Sequence, residues 1–289
     1  MKRLFCFLIL ITVFSCSRKG NIQETGIITV SIPPFKYFVE GIAGDQYKVN
    51  VMVPPGANPH IYEPTPDQIL NLKRSVAYIS DGYLGFESIW LERFYEVNRQ
   101  MKRLSFSETI VPIFSEDHNN SDHDEIADPH YWVSPSCAQK MALALKQFLT
   151  DLSPENKELY EDNYKILAEK IKGADAKARE LEIIGKGRAF MIYHPNLGYF
   201  ARDYGLQEIS VEHEGKEPNP LRLKELIDLA KRDKLKVILV QKEFDTKNAR
   251  VISEETSLKP EIIDPLSEDW LTSVTDIIDI LRKNFENTD

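Results

Sequence analysis

Only three cysteines occur in 289 residues, so no disulfide framework underlies the fold. No basic stripe is visible. Lys and Arg number 36 against 45 Asp and Glu, a net charge of −9, so nucleic acid is not an expected partner. An acidic surface suits collecting cations, although it is common among soluble proteins. No helical His-Glu-x-x-His motif is present, which removes one familiar signature of a zinc hydrolase. No internal repeat is seen at the level of residues. The apolar run Leu4 to Phe14 is too short for a membrane-spanning helix. What remains is ordinary: 42% hydrophobic residues suffice for one large core or two smaller ones.

The first residues read as a targeting segment. Lys2 and Arg3 precede the apolar run, and Val13-Phe14-Ser15-Cys16-Ser17 follows it. A small residue before a cysteine at that place resembles a bacterial lipobox, with Phe14 bulkier than usual. The resemblance implies cleavage before Cys16 and lipidation of its thiol; an ordinary signal peptide with an incidental cysteine is the alternative. Residues 1–15 are then the leader and 16–26 a polar tether. Cys6 leaves with the leader. Cys137 stands near a helix start and is expected to be a small buried side chain. It lies seven residues after His130 on a different helical face, which argues against a ligand role.

The rest alternates strand and helix patterns. In residues 27–152, strands are expected at Ile27–Ile32, Tyr47–Val53, Val76–Ser80 and within Leu104–Ile113, with Thr65-Pro66-Asp67-Gln68 opening a helix. Ser153-Pro154-Glu155 starts a further helix. From there to Ile184 the only glycine is Gly173 and no further proline occurs, while apolar residues recur three or four apart. This predicts one amphipathic helix of roughly thirty residues, about 45 Å long; two helices broken at Gly173 are the alternative. In residues 185–289 the pattern resumes, with strands at Arg188–Tyr193, Gln207–Glu212, Lys236–Gln241 and Glu261–Ile263. The expected fold class is α/β: two βα lobes, each with a mainly parallel four-stranded sheet, joined by one long rigid helix (153–184).

The scarce histidines fall in recurring settings. His60 follows an apolar run and Pro59, His130 follows Pro129 at a loop-to-helix junction, and His194 ends an apolar run before Pro195. In βα folds the carboxyl ends of strands gather on one side, where ligands bind. These three side chains are therefore expected to converge on one metal ion. Asp264 also ends a strand and precedes a proline, so two ligands from each half would place the ion in the cleft between them. Four ligands with no open position favour holding a metal over using it, because catalytic zinc keeps a place for water.

Four ordered motifs carry a resemblance over nearly all of the chain after Ile27. They are Gly56-Ala57-Asn58-Pro59-His60-Ile61-Tyr62-Glu63-Pro64, Asp128-Pro129-His130-Tyr131-Trp132-Val133-Ser134-Pro135, Tyr193-His194-Pro195 with Gly198-Tyr199-Phe200-Ala201, and Asp264-Pro265-Leu266. In combination they resemble the zinc- and manganese-binding solute-binding lipoproteins of bacterial metal ABC transporters, of the cluster A-I type. The resemblance implies a metal between two lobes and delivery to a membrane permease driven by a cytoplasmic ATPase. It implies a monomer, lipid-anchored on the extracytoplasmic or periplasmic face, and no enzymatic activity. Carried over, the ligands are His60, His130, His194 and Asp264. Manganese-binding members often have glutamate at the third position; His194 and three nitrogen donors favour zinc, with manganese the alternative. Asn196 stands where many relatives have an acidic residue. Zinc-binding members also tend to carry a histidine- and acid-rich loop before the second ligand. Here residues 116–125 hold His118 and His123, either as a weak accessory site or as a solvated acidic loop. His213 is expected at the surface.

Two other classes remain open on the sequence. A cell-envelope zinc hydrolase would need a general base beside an open coordination position, and an adhesin would depend on surface patches. For the receptor, the long helix implies modest lobe movement, with exchange through loops around His194 and Asp264. Histidine ligands must be neutral, so binding is expected to weaken below about pH 6.

Overall fold

The computed structural model describes residues 26–114, 127–185, 187–212, 216–244, 247–256 and 258–286. Cys16, His118, His123 and His213 lie outside the described residues. The first lobe contains β1 (Gly26–Val30), α1 (Pro33–Ala43), β2 (Tyr47–Val51), α2 (Pro66–Lys73), β3 (Ser75–Ser80), α3 (Gly85–Val97), β4 (Lys102–Ser105) and α4 (Pro135–Leu152). Helix α5 (Lys157–Ile184) connects it to β5 (Ala189–Ile192), α6 (Gly198–Asp203), β6 (Gln207–Ser210), α7 (Pro220–Arg232), β7 (Val237–Gln241), α8 (Lys247–Thr256), β8 (Lys259–Ile263) and α9 (Trp270–Glu286). Two four-stranded sheets result, ordered β2-β1-β3-β4 and β6-β5-β7-β8. Every strand pair within them is parallel. The same strand order in both lobes sends the same set of strand ends toward one side of each sheet.

Local chemistry explains the boundaries. Thr65 and Gln68 form a reciprocal capping box at the start of α2, which satisfies backbone donors that the first turn leaves free. Ser134 caps α4 by accepting from the Cys137 backbone N–H, and Asn219 caps α7 by accepting from Arg222. Strand β7 is buried along its whole length: Val237 and Leu239 enter the main core while Ile238 and Val240 enter a second cluster under α7 and α8. A central parallel strand covered on both faces reads as a continuous apolar run for this reason. Strand β8 carries Pro260, tolerated because β8 is an edge of its sheet. Strand β4 ends earlier than the apolar pattern suggests. Phe106–Thr109 turns into a 3-10 segment, closed by Thr109 Oγ1 donating to Phe106 O at 2.8 Å.

Helix α5 is unbroken over 28 residues, about 42 Å. Gly173 does not interrupt it. Its apolar stripe of Tyr160, Leu167, Ile171, Ala174, Ala178 and Leu181 is buried. Asp175 on α5 accepts from Arg179 Nε at 2.9 Å and from Tyr204 OH at 2.7 Å, tying α5 to the end of α6. Helix α9 packs back on α5, and Trp270 reaches Phe38 of α1 with ring centroids 5.1 Å apart. Two indole hydrogen bonds fasten the lobes: Trp132 Nε1 donates to Pro265 O at 2.9 Å, and Trp270 Nε1 to Trp132 O at 2.7 Å. Both indoles are buried, so each N–H needs these acceptors. Among the described residues no helix is long and apolar enough to cross a membrane.

Candidate metal centre

Each of the three histidines sits just beyond a strand or at a helix entry. His60 lies in the loop between β2 and α2. His130 opens the 3-10 turn His130–Val133 before α4. His194 follows β5. One nitrogen from each ring comes within 4.8 Å of the others. Nε2 of His60 is 3.2 Å from Nε2 of His194, and the three ring centroids are 5.1 to 5.3 Å apart. Rings packed this closely cannot all be cationic. Burial, then the His130 and His194 charges, push the His60 imidazole down to about 3. Burial also holds His130 below the usual imidazole range, against the pull of Asp128. Two of the rings are thus kept neutral, the form that ligates a metal. Proton competition at these two rings sets in below the pH expected from an unperturbed imidazole.

Two carboxylates orient the rings. Asp128 Oδ1 is 2.7 Å from His130 Nδ1 and also accepts the His130 backbone N–H at 2.9 Å. Burial alone would raise Asp128, but the His130 charge and its hydrogen bonds outweigh that and hold it below the usual carboxylate range. Glu212 Oε2, just past β6, is 2.6 Å from His194 Nδ1. In both cases Nδ1 faces the carboxylate, so Nε2 is the atom left for a ligand. Gln241 at the end of β7 grips the His194 backbone, donating to its carbonyl at 2.6 Å and accepting from its N–H at 3.3 Å. Phe244 stacks on the His194 ring at 4.7 Å. Tyr199 of α6 donates to Asp128 O at 2.7 Å and accepts from Ile113 N–H at 3.1 Å, steadying the Asp128 turn from the opposite lobe.

The rings line a cavity of about 20 Å³ shared with Trp132, Asn196, Glu243 and Leu266. That is room for an ion or a single water, not for an organic solute. Asn196 Oδ1 and Glu243 Oε2 are buried there without a hydrogen-bond partner among the described residues. Asp264 is not brought into the histidine cluster. Its carboxylate is ion-paired with Lys242 Nζ, and its carbonyl accepts from Ser273 Oγ at 2.6 Å. Cys137 is buried beside Ser134 and Asp203, away from the histidines, and burial pushes its thiol up to about 11. The sequence pattern gives Glu212 no role, although it ends the strand expected at Gln207–Glu212. It gives Asp128 none either, although that residue stands two positions before His130. Three imidazole nitrogens, two of them on rings backed by a carboxylate, are a donor set that suits zinc and related ions.

Two α/β lobes closing over a strand-end cluster of imidazoles define a two-lobed metal-binding receptor. The chain belongs to the family described as zinc-uptake complex component A periplasmic, ZnuA, whose profile matches residues 28–288. It is similar to the high-affinity zinc uptake system protein ZnuA of Bacillus subtilis, with 26% identity over 97% of this chain and 93% of that protein. It is also similar to the zinc-binding lipoprotein AdcA of Streptococcus pneumoniae, with 25% identity over 94% of this chain; the chain spans 57% of the length of that relative. A crystal structure of ZnuA superposes with a TM-score of 0.83 at 35% identity, over 91% of this chain and 100% of that one.

Proposed function

We propose that this protein is an extracytoplasmic receptor that captures one divalent transition metal ion, zinc first, and delivers it to the permease of an ABC transporter driven by a cytoplasmic ATPase. His60, His130 and His194 are its nitrogen donors, and Asp264 closes the set when it leaves Lys242. Lipid at Cys16 would hold the receptor at the membrane, and His118 and His123 would form a weak accessory site. The observation that carries this reading is the meeting of three imidazole nitrogens within 4.8 Å, contributed by both lobes around a cavity of ionic size. Family membership and relatives named for zinc binding and zinc uptake support it.

Metal content and competitive zinc titration test the reading, with wild type beside His194→Ala. One tightly held zinc per chain, weakened in the variant, is expected. A wild-type chain that binds no metal, or binding indifferent to His194, would contradict it.

A further inference from the structure

The three imidazoles are not held alike. His130 and His194 are 5% and 8% exposed, and each has a carboxylate on Nδ1, at 2.7 and 2.6 Å. His194 is further clamped by Gln241 and by the Phe244 ring. His60 is only partly buried. Its ring meets the other two rings, and among the described residues no carboxylate reaches its Nδ1. Locally, its backbone N–H donates to Asn58 Oδ1 at 2.9 Å. His60 is the least buried of the three, and its neighbour Ile61 is 77% exposed.

We propose that Asp128 and Glu212 make His130 and His194 the anchoring ligands and leave His60 as the ligand that releases first, so that the ion departs on the His60 side. This rests on the receptor reading above. A carboxylate on Nδ1 fixes tautomer and ring orientation and makes Nε2 a better donor. An imidazole without one must lose its own rotational freedom each time it ligates, so its bond to the ion is the weakest of the three. A receptor must hold its cargo and also give it up. One unsupported ring among two supported ones lets the imidazole side of the shell open at a single point while the ion stays attached to the other two rings and to Asp264. Exchange through loops around His194 and Asp264, the expectation from sequence, is a different route; the restraints gathered on His194 favour the His60 side. Asp128 and Glu212 are positioning residues here, acting through the histidines they hold.

The test measures zinc affinity and zinc dissociation rate, the latter by mixing the loaded full-length protein with excess chelator. His60→Ala, His130→Ala, His194→Ala, Asp128→Asn and Glu212→Gln are compared with wild type. The melting temperature of each metal-free variant confirms folding, and the two amide variants keep shape while removing charge. His60→Ala is expected to lose less affinity than either other alanine variant. Glu212→Gln and Asp128→Asn are expected to speed dissociation by about 10- to 100-fold, the usual effect of removing a partner of a metal-bound histidine, at unchanged metal-free melting temperature. Restoring the carboxylate as Glu212→Asp should recover part of the slow rate. In the metal-free protein, ¹⁵N imidazole spectra should show one fixed tautomer at His130 and His194 and a mixture at His60. Equal or greater loss in His60→Ala, or dissociation unchanged in both amide variants, would overturn the inference while leaving the receptor reading intact. Absence of zinc from wild type would instead overturn the receptor reading itself.

Discussion

Tyr199→Phe isolates one atom of the strut between the lobes. The ring is fully buried, and phenylalanine fills the same space. The lost hydroxyl donates to Asp128 O at 2.7 Å and accepts from Ile113 N–H at 3.1 Å. Each such bond contributes about 1 kcal/mol net, and a group left unpaired away from water costs about 1–3 kcal/mol. A destabilisation of about 2 kcal/mol follows, or roughly 3 °C in Tm for a chain of this size. The assay is thermal unfolding of the metal-free protein by circular dichroism, wild type beside variant. Because Asp128 holds His130, zinc affinity should fall as well. An unchanged Tm together with unchanged affinity would refute the claim that this hydroxyl positions the Asp128 turn.

Gly85→Ala should weaken zinc binding, because a Cβ there would sit 2.6 Å from the His60 carbonyl oxygen, and backbone must move to relieve it; calorimetric titration of the variant checks this. Glu208 accepts the Leu197 N–H at 2.6 Å, and burial pushes its carboxyl up to about 8. Its folded-state value therefore lies above the unfolded one, the native protein binds the extra proton between them, and stability falls as pH rises from about 4.5 to about 8. Glu208→Gln should flatten this slope and melt higher than wild type at pH 8.5 but not at pH 4; parallel melting curves at both pH values would contradict it.

The periodicities of 3.6 and 2 in the apolar residues were enough to read two βα lobes and the long helix, because each element buries a stripe or a face of its own. The three histidines were legible because each combines a strand end or helix entry with a proline, and parallel sheets send such positions to one side. The same signal marked Asp264, yet its carboxylate pairs with Lys242, 22 residues earlier, and no local pattern announces that pairing. Glu212 ends the strand expected from the sequence, but its partner His194 is 18 residues away, and Tyr199 lies 71 residues from Asp128. Side-chain pairings between strand ends are set by sheet order. Sheet order does not appear in the spacing of residues along the chain.

The most direct test of the central claim is X-ray absorption at the zinc edge of the loaded protein. The account predicts a nearest shell of nitrogen and oxygen only, with the outer-shell scattering of three imidazoles. A sulfur shell, or scattering from fewer than three imidazoles, would contradict it.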